Sequence, residues 1–189
     1  MPELIARFEA ISPTQLYVHV ADLLPVSPVR VADVGAGTGR DAAWLAERGH
    51  EVLAIEPVDA LRDAGRALHR SPRIEWLSDR LPELTEAQQR GRFDLVLLSA
   101  VLHHLDSPDQ QRAIVSLAKL TAPRGTLIMS LRHGLGAPSR RAFASEPQAV
   151  LYATNQAGFS LIRSVDAESI QPENRANGVR WTWLALRMG

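Results

Sequence analysis

The residues best suited to chemistry stand where apolar runs end. Val31-Ala32-Asp33-Val34 leads into Gly35-Ala36-Gly37-Thr38-Gly39-Arg40, an acid followed by a glycine cluster. Glycine carries no Cβ and accepts positive φ, so this turn can bend sharply and let a ligand approach the backbone. The free N–H groups of a helix starting after it would face the same ligand. Glu56-Pro57 ends the second run. A carboxylate beside the glycine turn can accept hydrogen bonds from both hydroxyls of a ribose. His103 and His104 follow the fourth run, and Arg132-His133 the fifth. Neutral imidazole accepts a proton near pH 7, although two adjacent histidines on one loop are not expected to point the same way. A dinucleotide fingerprint requires G-x-G-x-x-G. Here the third glycine comes one position early, at Gly39. A ligand-free strand-to-helix turn and a solvated Glu56 are the plain alternatives.

Parallel strands must bring these residues together. Residues 29–34, 51–55, 73–77, 93–99 and 126–131 read as short apolar strands. Helices fit between them at 40–49, with Gly49 as a C-terminal cap, and at 60–69. Ser107 suits an N-cap, with Pro108 first in a helix that runs to about Leu120. Residues 81–90 read as a short helix or loop, and Pro123-Arg124-Gly125 as a turn. Strand and helix alternate five times, which gives an α/β fold with a doubly wound parallel sheet. In the last third, 133–141 reads as a loop and 147–158 as a helix. Strands at 159–166 and 179–187 flank a polar connection, 171–178, which suggests an antiparallel pair at the sheet end. At the start, Leu4, Ile5, Phe8 and Ile11, then Leu16, Val20, Leu23 and Leu24, recur at helical spacing broken at Ser12-Pro13. They predict two amphipathic helices over the core or the pocket mouth.

The 189 residues are 46% hydrophobic and 22% charged, enough for one domain with a sizeable core. Basic and acidic residues balance at 21 each, so there is no global field to attract nucleic acid. With no cysteine, disulfides and thiolate metal sites are excluded. The His and Asp residues show no metal-ligand spacing. Glu3, Arg7, Glu9 and Pro13 interrupt the N-terminal segment, which does not read as a signal peptide. No apolar run approaches the roughly 18 residues of a membrane span. A soluble cytoplasmic protein is expected, with no indication of oligomeric state.

Asp33-Val34-Gly35-Ala36-Gly37-Thr38-Gly39 resembles the first motif of the class I S-adenosylmethionine-dependent methyltransferases. Four further stretches match that family in order: Glu56; Asp79 followed by Leu81-Pro82; Phe93 to Ser99 with Leu102-His103-His104-Leu105; and Leu120 to Leu127, with Pro-Arg-Gly where many relatives have Pro-Gly-Gly. The resemblance implies a Rossmann-like seven-stranded sheet with an antiparallel last strand, and S-adenosylmethionine as methyl donor. It divides the chain into a helical lid (1–28), a cofactor-binding half (29–131) and a substrate-side segment (132–189). It implies that Glu56, with Pro57, holds the ribose, and that Asp79 meets the adenine amino group with Arg80 and Leu81 beside it. Gly35, Ala36 and Gly37 would let the donor approach, and Ser99 and Ala100 would line it. Asp33 would hold the ammonium. Arg40 would hold the carboxylate, with Arg7 as another candidate.

Each role has a structural alternative: Asp79 as a loop-side cap, Arg40 pointing to solvent, the histidines as packed loop residues. Methyl transfer from a sulfonium is an in-line displacement, achieved mainly by proximity and alignment. His103 or His104 would act as base if the acceptor must lose a proton. Arg132, with His133, would hold an anionic acceptor or be solvated. Arg140 and Arg141 read as polar loop. Trp44 and Trp76 read as core. Trp181 and Trp183 share one strand face, either helix-covered or an aromatic wall for the acceptor. Ser99-Ala100-Val101-Leu102 replaces the Asn-Pro-Pro-aromatic run of amide- and adenine-methylating relatives, which favours a small-molecule acceptor. RNA or protein methylation, and a non-catalytic S-adenosylmethionine-binding subunit, are the competing readings.

Overall fold

A computed structural model describes residues 1–134 and 142–189. Arg140 and Arg141 lie outside the described residues. Strands β1 (Arg30–Val34), β2 (Glu51–Ile55), β3 (Ile74–Leu77), β4 (Phe93–Leu98), β5 (Thr121–His133), β6 (Phe159–Glu168) and β7 (Arg180–Met188) form one sheet in the order β3-β2-β1-β4-β5-β7-β6. The first five run parallel, and β7 is antiparallel to both β5 and β6. This is the Rossmann-like arrangement that the resemblance implied. Nearly every side chain of β1, β2 and β4 is buried, as a sheet covered on both faces requires.

One face packs under α3 (Arg40–Glu47) and α4 (Asp59–Leu68), with Val31, Leu45, Leu97 and Trp183 in its core. The other packs under α5 (Thr85–Gln89), α6 (Ser107–Leu120) and α7 (Pro147–Gln156), around Leu98, Leu117, Leu127 and Phe159. At the N-terminus stand α1 (Pro2–Glu9) and α2 (Pro13–Leu16), and α8 (Pro172–Ala176) lies between β6 and β7. Among the described residues no helix is long and apolar enough to cross a membrane.

Some boundaries differ from the sequence reading. Asp106, not Ser107, caps α6: its carboxylate accepts from the Asp109 N–H at 3.0 Å. A carboxylate at a positive helix end outcompetes the neighbouring hydroxyl. Pro123-Arg124-Gly125 is a bulge within β5, since Phe93 pairs with Thr121 while Leu95 pairs with Thr126. The second N-terminal helix shrinks to one turn plus a 3-10 turn at Ala21–Leu23. The polar connection after β6 holds the short helix α8. Gly49, with φ of +93°, follows α3 as its expected cap.

Trp76 fixes how the two nucleotide-side helices approach the sheet. A Cβ on Gly39 would lie 2.4 Å from its indole, and one on Gly65 of α4 would lie 2.2 Å from it and 2.7 Å from the Thr38 carbonyl. Gly65→Ala gains about 1 kcal/mol of helix propensity against an overpacking cost of about 1–3 kcal/mol. The Thr38 carbonyl is backbone and cannot turn aside, so the cost wins. The variant is expected to unfold at lower urea concentration. An unchanged midpoint with an unchanged m-value would contradict this packing.

Candidate functional site

The carboxyl ends of the parallel strands open into a cavity of about 720 Å³, inside the range of about 300–1,000 Å³ usual for small-molecule sites. At its β1 side the glycine turn is stitched to the end of β2. The Gly35 and Ala36 N–H groups donate to the Ile55 carbonyl at 2.8 and 3.0 Å. The Gly37 N–H donates to Glu56 Oε2 at 2.8 Å, and the Val58 N–H donates to Oε1 at 2.8 Å. The three glycines of the turn do different work. A Cβ on Gly35 would meet Val101 at 2.5 Å, whereas at Gly37, with φ of +59°, the nearest neighbour is the Phe8 ring at 3.4 Å. Phe8 of α1 thus lies over Gly37.

Asp33 lies at the bottom, 3% exposed, and no described group hydrogen-bonds its Oδ2. Burial and repulsion from Asp41 and Glu56 outweigh the attraction of Arg40 and push its carboxyl up to about 8. Arg40 grips Asp41 through Nε at 2.7 Å and Nη2 at 2.9 Å, and donates through Nη1 to the Phe8 carbonyl at 3.0 Å. The buried Tyr17 hydroxyl donates to the same Asp41 carboxylate at 2.8 Å, and burial raises the phenol well above its usual range. Arg40 thus points neither to solvent nor wholly to a ligand. It joins α1 to the glycine turn. Glu9 adds a second tie, accepting from the Thr38 hydroxyl and standing 3.2 Å from His69. Leu4, Phe8 and Ile11 of this N-terminal segment border the cavity, as a lid would.

Asp79 borders the cavity but is also a cap: its oxygens accept from the Arg80 and Ala87 N–H groups, both at 2.8 Å. The Arg80 N–H is thereby committed to Asp79. On the opposite side, Ala100 takes a left-handed φ of +58° after β4, and its N–H donates to Ser130 Oγ at 2.8 Å. The 3-10 turn Leu102–His104 follows, tied by the Phe143 N–H to the His103 carbonyl at 2.8 Å. Both histidines border the cavity. They pack 4.2 Å apart, His103 buried and His104 exposed. Arg132 borders it too, donating to the Gly134 carbonyl at 2.8 Å.

Of the site residues named from the sequence, the fold brings all but one to this cavity: Asp33, Gly35, Ala36, Gly37, Arg40, Glu56, Pro57, Asp79, Arg80, Leu81, Ser99, Ala100, His103, His104 and Arg132. His133 is absent from the lining. Strand alternation turns it to the other face, where its Nε2 lies 2.7 Å from the Thr182 hydroxyl, which donates to Asp166. Sequence reasoning missed Asp41, Tyr17 and Ser130. The parity of Ser130 with Arg132 on one strand was the available signal for the last. Trp181 and Trp183 both border the cavity. Trp183 is almost fully buried, with Tyr17 edge-on at 5.3 Å. Among the described residues no three His, Asp or Glu side chains converge as a metal site.

Comparison with known proteins agrees with this geometry. An uncharacterised methyltransferase of Mycobacterium tuberculosis is 36% identical over 121 residues, covering 60% of this chain and 58% of its own. A ubiquinone biosynthesis O-methyltransferase of Alkalilimnicola ehrlichii is 33% identical over 103 residues, covering 53% and 40%. The chain thus spans about half the length of the curated relatives it matches. The crystal structure of 1,6-didemethyltoxoflavin-N1-methyltransferase from Burkholderia thailandensis, with 1,6-didemethyltoxoflavin and S-adenosylhomocysteine bound, superposes with a TM-score of 0.68 at 22% identity. It covers 93% of this chain and 75% of that one. Residues 31–125, half of the chain, match the methyltransferase domain, and the chain belongs to the class I S-adenosylmethionine-dependent methyltransferase family.

Proposed function

We propose that the chain transfers the methyl group of S-adenosylmethionine to a small molecule. The observation that carries this reading is the buried carboxylate of Asp33, which borders the cavity beside Gly37 and Glu56 and has one oxygen that no described group hydrogen-bonds. A buried carboxylate with an unsatisfied oxygen calls for a proton or a cation, and the donor's ammonium is a cation that comes with a ribose for Glu56. The donor supplies an electrophilic methyl on sulfur. The protein's part is placement: Gly37 admits the ligand to the backbone, Asp79 and Leu81 flank an adenine, Ser99 and Ala100 border the reacting side, and α1 excludes water. Such alignment is worth roughly 7–11 kcal/mol. In this reading 29–131 hold the donor, and 132–189 with 1–28 close on the acceptor. A small acceptor fits the cavity of about 720 Å³ and the balanced net charge. Two similar proteins, by their names, act on small molecules: the ubiquinone-biosynthesis enzyme and the toxoflavin enzyme.

Calorimetric titration is expected to show binding of both S-adenosylmethionine and S-adenosylhomocysteine, and none of a nicotinamide dinucleotide. Asp33→Asn should weaken the former by about tenfold to a hundredfold, the range for one hydrogen bond to a charged group. Heat with the dinucleotide alone would refute the assignment.

The elevated Asp33 pKa sets a pH dependence. In the unfolded chain Asp titrates at about 3.9, and in the folded chain burial and neighbouring carboxylates push Asp33 up to about 8. The folded state therefore binds the extra proton between those values, and stability falls as pH rises through that window. Asp33→Asn should remove this part of the fall. An ammonium ligand needs the ionised form, so donor affinity should rise from pH 6 toward pH 8, by up to about tenfold per unit. It should then level off as the ligand's own α-amino group, of pKa about 7.7–8.0, loses its proton. A flat profile in the parent chain, or an unchanged slope in the variant, would count against Asp33 as the ammonium site.

A further inference from the structure

The cavity is electrically divided. Asp33, Glu56 and Asp79 gather at the ends of β1, β2 and β3, where the donor is placed. At the other end β5 and β7 present Arg132 and Trp181, which are direct register partners. Partners in an antiparallel pair project to the same face with Cβ atoms about 4.5–5.5 Å apart. Guanidinium and indole therefore stand side by side on the cavity wall, while their neighbours His133 and Thr182 turn away.

Arg132 differs from the other cavity arginines. Arg7 pairs with Glu173 at 3.4 Å, Arg40 is held by Asp41, and Arg80 is exposed at the far end. Arg132 has no carboxylate partner among the described residues. One N–H is spent on the Gly134 carbonyl, which fixes the guanidinium and leaves other donors of its planar fork available. Glu168, an acid on this side, is exposed at the rim opposite Arg180. A part-buried arginine with donors to spare is a seat for anionic oxygens. Beside it, the Trp181 ring is met nearly edge-on by His103, with centroids 6.0 Å apart. The half-buried indole still borders the cavity, where another ring could pack against it.

We propose that the acceptor subsite takes a planar aromatic anion, its acidic oxygens on the Arg132 guanidinium and its ring against Trp181. The proposal rests on the donor site assigned above. It also fits that assignment, because an anion beside a positively charged sulfonium in a water-poor cavity gains attraction that a cationic acceptor would lose.

The test uses the whole chain saturated with S-adenosylhomocysteine and three matched probes: 2-naphthoate, 2-naphthamide and the fully saturated counterpart of the naphthoate. Calorimetry is expected to show 2-naphthoate binding about tenfold or more tighter than the amide, as loss of a charged hydrogen bond implies, and about two- to tenfold tighter than the saturated acid, as loss of a ring contact implies. Arg132→Gln should bring the naphthoate down to the amide, and Arg132→Lys should keep part of the difference as a point charge. Trp181→Leu should bring the naphthoate down to the saturated acid. S-adenosylhomocysteine affinity should be unchanged in all three variants, which shows that they fold. Equal binding of naphthoate and naphthamide by the parent chain, or a preference that survives Arg132→Gln, overturns the proposal while leaving the donor site standing. Failure of S-adenosylhomocysteine itself to bind overturns both.

Discussion

A carboxylate buried among carboxylates governs this molecule. Asp33 ends β1 at the bottom of the cavity, with Asp41 and Glu56 close enough to repel it. Such a cluster is costly unless its charge is neutralised. The protein neutralises part of it. Arg40 and the Tyr17 hydroxyl converge on Asp41, and backbone N–H groups converge on Glu56. Asp33 is left with an oxygen that nothing described satisfies. The surrounding network holds that carboxylate beside the cavity, where the proposed complement is a cation brought in from solution.

The same network explains why the N-terminal segment belongs to the site. No residue of α1 is buried, so packing alone holds it weakly. Its C-terminal end is instead tied by polar contacts, Arg40 to the Phe8 carbonyl and Glu9 to Thr38. Both partners sit on or beside the glycine turn. The glycine turn is therefore also the anchor of the helix beside it. Two of its glycines answer to protein packing, Gly35 to Val101 and Gly39 to Trp76, while a side chain at Gly37 would touch only the Phe8 ring. The early third glycine, odd against a dinucleotide fingerprint, has a physical reason in the indole of Trp76.

Much of this was legible in the sequence because the strand ends are punctuated. Apolar runs closing on Asp33, Glu56, Asp79 and Ser99 placed the strands, and parallel topology then placed those residues together at one edge of the sheet. What escaped depended on side-chain direction or on distant partners. His133 was one residue out of phase with the cavity, a matter of strand parity that its neighbour Arg132 satisfied. Asp79 doubles as a cap because α5 begins within its reach, which no spacing rule announces. Asp41 looked like an ordinary acid in a first helical turn, since its partner Tyr17 lies 24 residues upstream.

The proposed site requires one donor to span Asp33, Gly37 and Glu56. A crystal structure of the chain with S-adenosylhomocysteine is the sharpest test. The ligand's ammonium is expected within hydrogen-bond distance of the Asp33 carboxylate, its ribose hydroxyls on Glu56 and its chain crossing the face of Gly37. A ligand bound elsewhere, or one whose ammonium is met by other groups and not by Asp33, would contradict it.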